Sequence, residues 1–112
     1  MEYDQQILDS LGVRLREERL IILARLQRNG AILVEQLVGA ERTDRTQIFN
    51  QNERQKEMDK QFLADINDAL ARIQDQTYGV CQCRQLIPLA RLVVIPTAKS
   101  CVACQAAKER SR

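Results

Sequence analysis

All four cysteines of this 112-residue chain lie in one segment near its C-terminal end. They form two pairs, Cys81-x-Cys83 and Cys101-x-x-Cys104, with seventeen residues between the pairs. Four thiolates bound tetrahedrally to Zn²⁺ at about 2.3 Å each have their sulfur atoms about 3.8 Å apart, and two short pairs brought together by a hairpin can supply that geometry. We therefore expect these four residues to bind one structural zinc ion.

The spacing within the first pair keeps other outcomes open. A usual zinc knuckle has two residues between its cysteines, whereas Cys81 and Cys83 have one. Because the chain contains no His, the site is Cys₄, Cys₃ with a water or carboxylate, or empty. Two disulfides or four inert buried thiols are the remaining alternatives. A catalytic zinc with an open position is disfavoured, because neither a His nor a suitably spaced Glu accompanies the cysteines.

Sequence features outside the cysteines indicate a cytoplasmic protein. The N-terminal sequence MEYDQQILDSLGVRLREERL lacks a signal segment, and no apolar run approaches the roughly 18 residues of a membrane span. In a reducing cytosol, clustered cysteines are more often metal ligands than disulfides.

The charge of the chain is unevenly distributed, because residues 77–112 carry a net charge of +5 and residues 1–76 a net charge of −3. That basic bias is too mild to predict nucleic-acid binding by itself.

Two long stretches with helical periodicity precede the cysteines. Few aromatic residues and 29% charged residues are typical of long exposed helices rather than of a large core. The first apolar stripe consists of Leu8, Leu11, Leu15, Ile22, Leu26, Leu33 and Leu37. The second consists of Ile48, Met58, Phe62, Ile66, Leu70 and Ile73. Charged residues fall outside the first stripe, among them Arg14, Glu17, Arg25 and Arg28, and others lie between members of the second, namely Glu53, Lys56, Asp59, Lys60 and Asp65. The spacing predicts two helices that share one apolar seam.

The segment VGAERTDRTQ joins the two stripes. Gly39 is expected to end the first helix, and Thr43 or Asp44 to be the N-cap of the second. The predicted fold is mainly α, a long antiparallel helical hairpin or coiled coil whose tip lies near residues 39–46. Helices of about 35 residues would each extend roughly 50 Å.

The chain after the hairpin is predicted to form a second region. We expect residues 1–76 to be the coiled-coil hairpin and residues 77–112 a zinc-finger region with a short C-terminal helix, placed where the two long helices begin and end. Between the cysteine pairs, the β-branched residues Val93, Val94 and Ile95 predict a short strand that Pro96 ends.

Three features of the chain carry a family resemblance. One feature is the order of the motifs around the cysteines, where the chain has YGVCQC followed by IPLARL, IPTA and CVAC. This order is similar to the family order YGxCxxCG, IGxARL and RPTAxxCxxC. AERTDRTQ at the predicted turn is similar to an acidic-x-x-Asp-Arg-Ala motif. With the hairpin, these motifs make nearly the whole chain resemble the DksA/TraR family of bacterial transcription factors. The sequence departs from that pattern by the shorter first cysteine pair, and by Arg84, Pro88 and Ile95 where the family has Gly, Gly and Arg.

The resemblance implies a regulator that binds RNA polymerase and no specific DNA. In the family the finger docks on the polymerase exterior, and the coiled coil enters the secondary channel with its acidic tip directed towards the catalytic Mg²⁺. There it alters the lifetime of the open complex, often together with the nucleotide ppGpp in the stringent response. Matched by position, the tip residues are Glu41, Asp44 and Arg45. A cytoplasmic bacterial monomer is expected.

Two other functions compete with this interpretation. The basic C-terminal segment suggests a zinc-finger module for DNA or RNA, although the chain lacks an aromatic platform for bases. A thiol-based redox sensor would release its metal on oxidation of Cys81 and Cys83. Arg91 and Lys99 could contact an acidic partner, although single basic residues are more often only solvated. An enzyme is not expected, because the chain has no His for general base catalysis and no Gly-rich phosphate loop.

Overall fold

The structure is a computed structural model that describes residues 3–110, apart from the side chains of residues 29–32. Four helices are assigned in this range: α1 (Gln5–Val38), α2 (Arg42–Gln74), α3 (Leu89–Val94) and α4 (Val102–Arg110). A single antiparallel bridge pairs Val80 with Leu86. The predicted mainly helical fold, in which a long hairpin precedes a four-cysteine region and a short C-terminal helix, is confirmed.

A short connector joins α1 to α2. α1 ends one residue before Gly39, as predicted. The backbone amide of Arg45 donates to the Glu41 carbonyl at 2.9 Å, which makes Glu41 the residue that accepts the first helical hydrogen bond. The predicted N-cap at Thr43 or Asp44 is therefore wrong. The connector is shorter than expected, so both residues lie in the first turn of α2.

The contacts divide the described chain into two compact units. One unit contains the residues up to Arg16 together with those from Asp65 onward, and the other is Glu17–Ala64. In the first unit, the start of α1 and the end of α2 share a core with the cysteine-containing segment. Its largest fully buried side chains are Leu15, Ile66, Ile87 and Leu92. The predicted domain boundary at residue 76 stays a prediction.

The seam in the Glu17–Ala64 unit differs from the expected apolar stripe. Among its described side chains, only Ile22 and Asp59 are buried. The prediction for α2 is wrong here, because Met58 is 65% exposed, Phe62 is 39% exposed and Asp59 is 3% exposed. Arg25 of α1 provides the physical reason, since its guanidinium pairs with the Asp59 carboxylate at 2.8 Å. The partner makes burial of this carboxylate tolerable.

The segment between the cysteine pairs forms a helix where a strand was predicted. Residues Leu89–Val94 form α3, which follows Pro88, and Leu92 is fully buried. The strand prediction for Val93 to Ile95 is wrong because burial of one α3 side chain outweighs the weak intrinsic preference of β-branched residues. Ile95 leaves the helix as its C-cap, and its amide donates to the Arg91 carbonyl at 2.7 Å.

Candidate metal centre and hairpin turn

The first cysteine pair lies in a tight backbone turn. The Cys81 amide donates to the Gln85 carbonyl at 2.9 Å, and the Arg84 amide donates to the Cys81 carbonyl at 2.8 Å. Arg84 has a φ of 69°, in the left-handed region that normally favours glycine. This conformation lets the chain reverse within one residue of Cys83, so the shortened pair still forms a knuckle.

The second cysteine pair lies at the start of α4. The amide of Gln105 donates to the Cys101 carbonyl at 2.9 Å, so Cys101 directly precedes the helix. Cys104 lies in the first turn, three residues further on. Residues with this separation lie on the same side of a helix. Both sulfur atoms of this pair therefore point towards the knuckle.

The structure brings the sulfur atoms of all four cysteines together. The Sγ atoms of Cys81, Cys83, Cys101 and Cys104 lie within 4.8 Å of one another. The Cys83 and Cys101 sulfur atoms are 3.8 Å apart, the separation that a tetrahedral Zn²⁺ site requires. All four cysteines are free thiols rather than disulfides. The donor set fits one structural zinc ion, with four thiolates and no described His, Asp or Glu in the cluster.

Backbone amides lower the pKa of the Cys81 thiol. The N–H groups of Cys83 and Cys101 donate to its sulfur and lower the pKa of Cys81 to about 6, although burial acts in the opposite direction. The pKa of Cys104 is raised, chiefly because its thiol donates a hydrogen bond to the Cys81 sulfur. Since zinc binds thiolates, these amides stabilise the form of Cys81 that a metal requires.

Hydrogen bonds hold the loop between the cysteine pairs against the rest of its unit. The Tyr78 hydroxyl donates to the Pro96 carbonyl at 2.7 Å in a buried contact. The guanidinium of Arg91 donates to the Ser100 carbonyl at 3.1 Å, and the Lys108 ammonium donates to the Ser100 hydroxyl at 3.0 Å. These contacts fix the backbone directly before Cys101.

Two basic residues that the sequence suggested for partner binding have partners within the chain. Arg91 bonds to the Ser100 carbonyl, as above. The Lys99 ammonium lies 3.7 Å from an Asp65 oxygen and 3.6 Å from an Asp68 oxygen. Because both carboxylates belong to α2, Lys99 links the finger segment to the end of the hairpin.

The hairpin turn presents charged side chains to solvent. Glu41, Asp44 and Arg45 are all exposed. The Arg45 guanidinium donates to the Ala40 carbonyl at 2.9 Å, so this residue also supports the connector. Among the described ion pairs, none involves Glu41 or Asp44. Asp44, in the first turn of α2, interacts favourably with the positive end of the helix dipole.

Comparisons with known proteins agree with this architecture. Residues 76–110 match the prokaryotic dksA/traR C4-type zinc finger. The structure is similar to that of the transcription factor DksA2 from Pseudomonas aeruginosa, with a TM-score of 0.82 and 26% sequence identity. That likeness covers 96% of this chain and 87% of the other. The zinc-finger match over residues 76–110 and the structural likeness to a transcription factor both support the resemblance to the DksA/TraR family that the sequence motifs indicate.

A shorter stretch is similar to a curated protein. It is 44% identical over 52 residues to General stress protein 16O from Bacillus subtilis (strain 168). The matched stretch is 46% of this chain and 32% of that protein, so this chain spans about a third of the relative. None of the described helices is long and apolar enough to cross a membrane.

Sequence reasoning missed one polar cluster within the hairpin. Arg25, Gln55 and Asp59 are joined by hydrogen bonds in the Glu17–Ala64 unit. A charged residue beside an apolar stripe is usually solvated, so no signal in the sequence distinguished Asp59 from its exposed neighbours.

Proposed function

We propose that this protein is a non-enzymatic transcription regulator that binds RNA polymerase and inserts the turn of its helical hairpin into the secondary channel. The observation that carries the proposal is the structural likeness to a transcription factor along 96% of the chain. The likeness includes both the hairpin and the finger region. The resemblance of AERTDRTQ and of the cysteine motifs to the same family supports it independently.

The hairpin turn has the properties that such a role needs. α1 and α2 contain 34 and 33 residues, which at about 1.5 Å per residue is roughly 50 Å of helix each. Long helices can carry a short turn into a pore that a globular domain could not enter. The exposed carboxylates of Glu41 and Asp44 would act through their charge near a catalytic metal ion or near mobile loops around it.

In this proposal the finger region provides the docking base. Cys81, Cys83, Cys101 and Cys104 would hold a zinc ion that links the two cysteine pairs, and α4 follows directly from the second pair. Arg91 and Lys108 stabilise this region through their hydrogen bonds to Ser100, and Lys99 links it to the end of α2. ppGpp, bound where the regulator meets the polymerase, is the small-molecule partner that the family resemblance suggests.

The test compares Asp44→Asn with the wild-type protein on purified polymerase. The substitution removes one charge and keeps the side-chain shape. We expect unchanged zinc content, unchanged thermal stability within about 1 kcal/mol for the helix-dipole contact, and unchanged affinity for polymerase. The effect on the lifetime of open complexes should fall at least fivefold.

Glu57→Gln is the matched control, because Glu57 is an exposed carboxylate on α2 away from the turn. It should leave the effect on open complexes unchanged. Equal regulation by wild type and Asp44→Asn would refute the role of the turn. Absence of any polymerase binding by the wild-type protein would refute the proposed function as a whole.

A further inference from the structure

A polar cluster centred on the buried carboxylate of Asp59 lies in the hairpin unit that carries the turn. We call Arg25, Gln55 and Asp59 the Asp59 clamp. The Arg25 guanidinium donates from Nε to Asp59 Oδ2 at 2.9 Å and from Nη2 to Oδ1 at 2.8 Å. The Gln55 amide donates to Oδ1 at 3.0 Å. The buried carboxylate therefore accepts three hydrogen bonds, two of them in the parallel arrangement typical of Arg–carboxylate pairs.

Such a cluster contributes little net stability in a helical seam. Removing a carboxylate from water has a large desolvation cost, so replacing a buried ion pair by apolar residues of similar size is often neutral or stabilising. Arg25 remains 46% exposed, which weakens its attraction to Asp59 further. The clamp is therefore better explained by a role in selecting one alignment of the two helices than by a contribution to the free energy of unfolding.

The rest of this seam has little to fix the alignment of the two helices. Apart from Asp59, Ile22 is the only buried side chain described in Glu17–Ala64. Contacts between aliphatic side chains are non-directional and tolerate small rotations and slides. The hydrogen bonds of a guanidinium to a carboxylate are directional. A slide of one helical turn, about 5.4 Å, would leave the buried carboxylate without its cation.

We propose that the Asp59 clamp sets the alignment of α1 against α2 and thereby positions the carboxylates of the hairpin turn. Thirteen residues separate Arg25 from the end of α1 at Val38, which is about 20 Å of helix. A change of about 10° in the alignment at the clamp would displace the turn by about 3.5 Å over that length. This displacement exceeds a hydrogen-bond length, so it would matter for Glu41 and Asp44. The functional part of this inference rests on the proposed function.

The test replaces the ion pair by apolar residues in the full-length, zinc-loaded protein. The double variant Arg25→Met/Asp59→Leu should melt at or above the wild-type temperature. Amide exchange of residues 39–46, followed by NMR, should be at least tenfold faster than in the wild type, or these residues should show more than one set of signals. The effect on open-complex lifetime should fall at least threefold at saturating protein.

The matched control is Lys60→Met/Glu57→Leu, the same chemical change in an exposed ion pair of α2. It should leave exchange at residues 39–46 and transcription unchanged. If the apolar clamp variant fails to fold, Asp59→Asn provides a second test, because it keeps the side-chain shape and weakens the pairing with Arg25. It should give faster exchange at the turn than the wild type.

The two proposals fail in different ways. Wild-type exchange rates at residues 39–46 in both clamp variants would overturn the positioning role, whatever the transcription result. A wild-type protein without effect on transcription would overturn the proposed function, and the exchange measurements would still decide the role of the clamp. If the clamp variants lost regulation while amide exchange at residues 39–46 stayed at the wild-type rate, the clamp proposal would also be contradicted, because the loss would then have another cause.

Discussion

Replacing Tyr78 by Phe removes one hydrogen bond from the interior of the finger-containing unit and leaves its packing intact. Tyr78 is 3% exposed, and its hydroxyl donates to the Pro96 carbonyl at 2.7 Å. This contact joins the chain just before the first cysteine pair to the loop before the second. It is therefore a long-range contact that helps to bring the two halves of the metal centre together.

The expected loss of stability follows from the burial of both partners. A hydrogen bond contributes about 1 kcal/mol net, and leaving its buried acceptor unsatisfied costs about 1–3 kcal/mol. Pro96 is buried as well, so solvent does not readily replace the lost donor. We expect Tyr78→Phe to lower the free energy of unfolding by about 2 kcal/mol. At about 4 °C per kcal/mol, the melting temperature would fall by about 8 °C.

The same residue predicts a pH dependence. Burial raises the pKa of Tyr78 to about 12, although the cation of Arg72 acts against it. A folded-state pKa above the unfolded value of about 10 means that the neutral phenol stabilises the fold fully below pH 10. This contribution is lost progressively as the pH rises from about 10 to about 12. The difference in stability between the wild type and Tyr78→Phe should therefore shrink over that range.

Urea unfolding of the zinc-loaded proteins, followed by circular dichroism, measures both effects. Tyr3→Phe is the matched control, because the Tyr3 hydroxyl makes no hydrogen bond to another described residue. It should change the free energy of unfolding by less than about 0.5 kcal/mol, because no hydrogen bond between described residues is lost. A Tyr78→Phe effect equal to that of the control, or a difference that grows above pH 10, would refute the reasoning.

Two further predictions concern the metal and the glycines. Native mass spectrometry under reducing conditions should find one zinc per chain, and Cys83→Ser should lower the zinc affinity and the melting temperature; equal zinc retention would contradict a four-thiolate site. Gly12→Ala should stabilise the protein by about 0.5–1 kcal/mol in thermal unfolding, because the new methyl group would meet only side-chain atoms at 3.4 Å or more in mid-helix. Gly79→Ala should destabilise it by more than 1 kcal/mol, because φ is +80° and the added carbon would lie 2.7 Å from the Tyr3 ring. If Gly12→Ala and Gly79→Ala changed the stability in the same direction, the opposite effects expected from their backbone conformations would be contradicted.

Much of the fold could be predicted from local sequence signals. The apolar residues at Leu8, Leu11, Leu15 and Ile22 recur with helical spacing, and the structure buries all four. Gly39 correctly indicated the end of α1. The cysteine spacing indicated a four-sulfur cluster, because metal ligation depends on a few residues that lie close together in sequence. Periodicity and ligand spacing are local properties, so the sequence alone carries them.

Tertiary contacts decided the features that local signals misjudged. Val93 and Val94 belong to a helix because burial of Leu92 outweighs their preference for strands. Arg84 adopts a left-handed conformation because the shortened cysteine pair requires a sharp reversal.

Asp59 shows the difference most clearly. In the sequence it is one charged residue among many on α2, and helical spacing assigned the seam to Met58 and Phe62 instead. Its burial depends on Arg25, which lies 34 residues away in the chain and donates two hydrogen bonds to its carboxylate. The sequence determined that two helices would pair and that four cysteines would meet. Only the tertiary structure decided which polar side chains the seam would enclose, because the free energy of a buried charge depends on the partner that the fold brings to it.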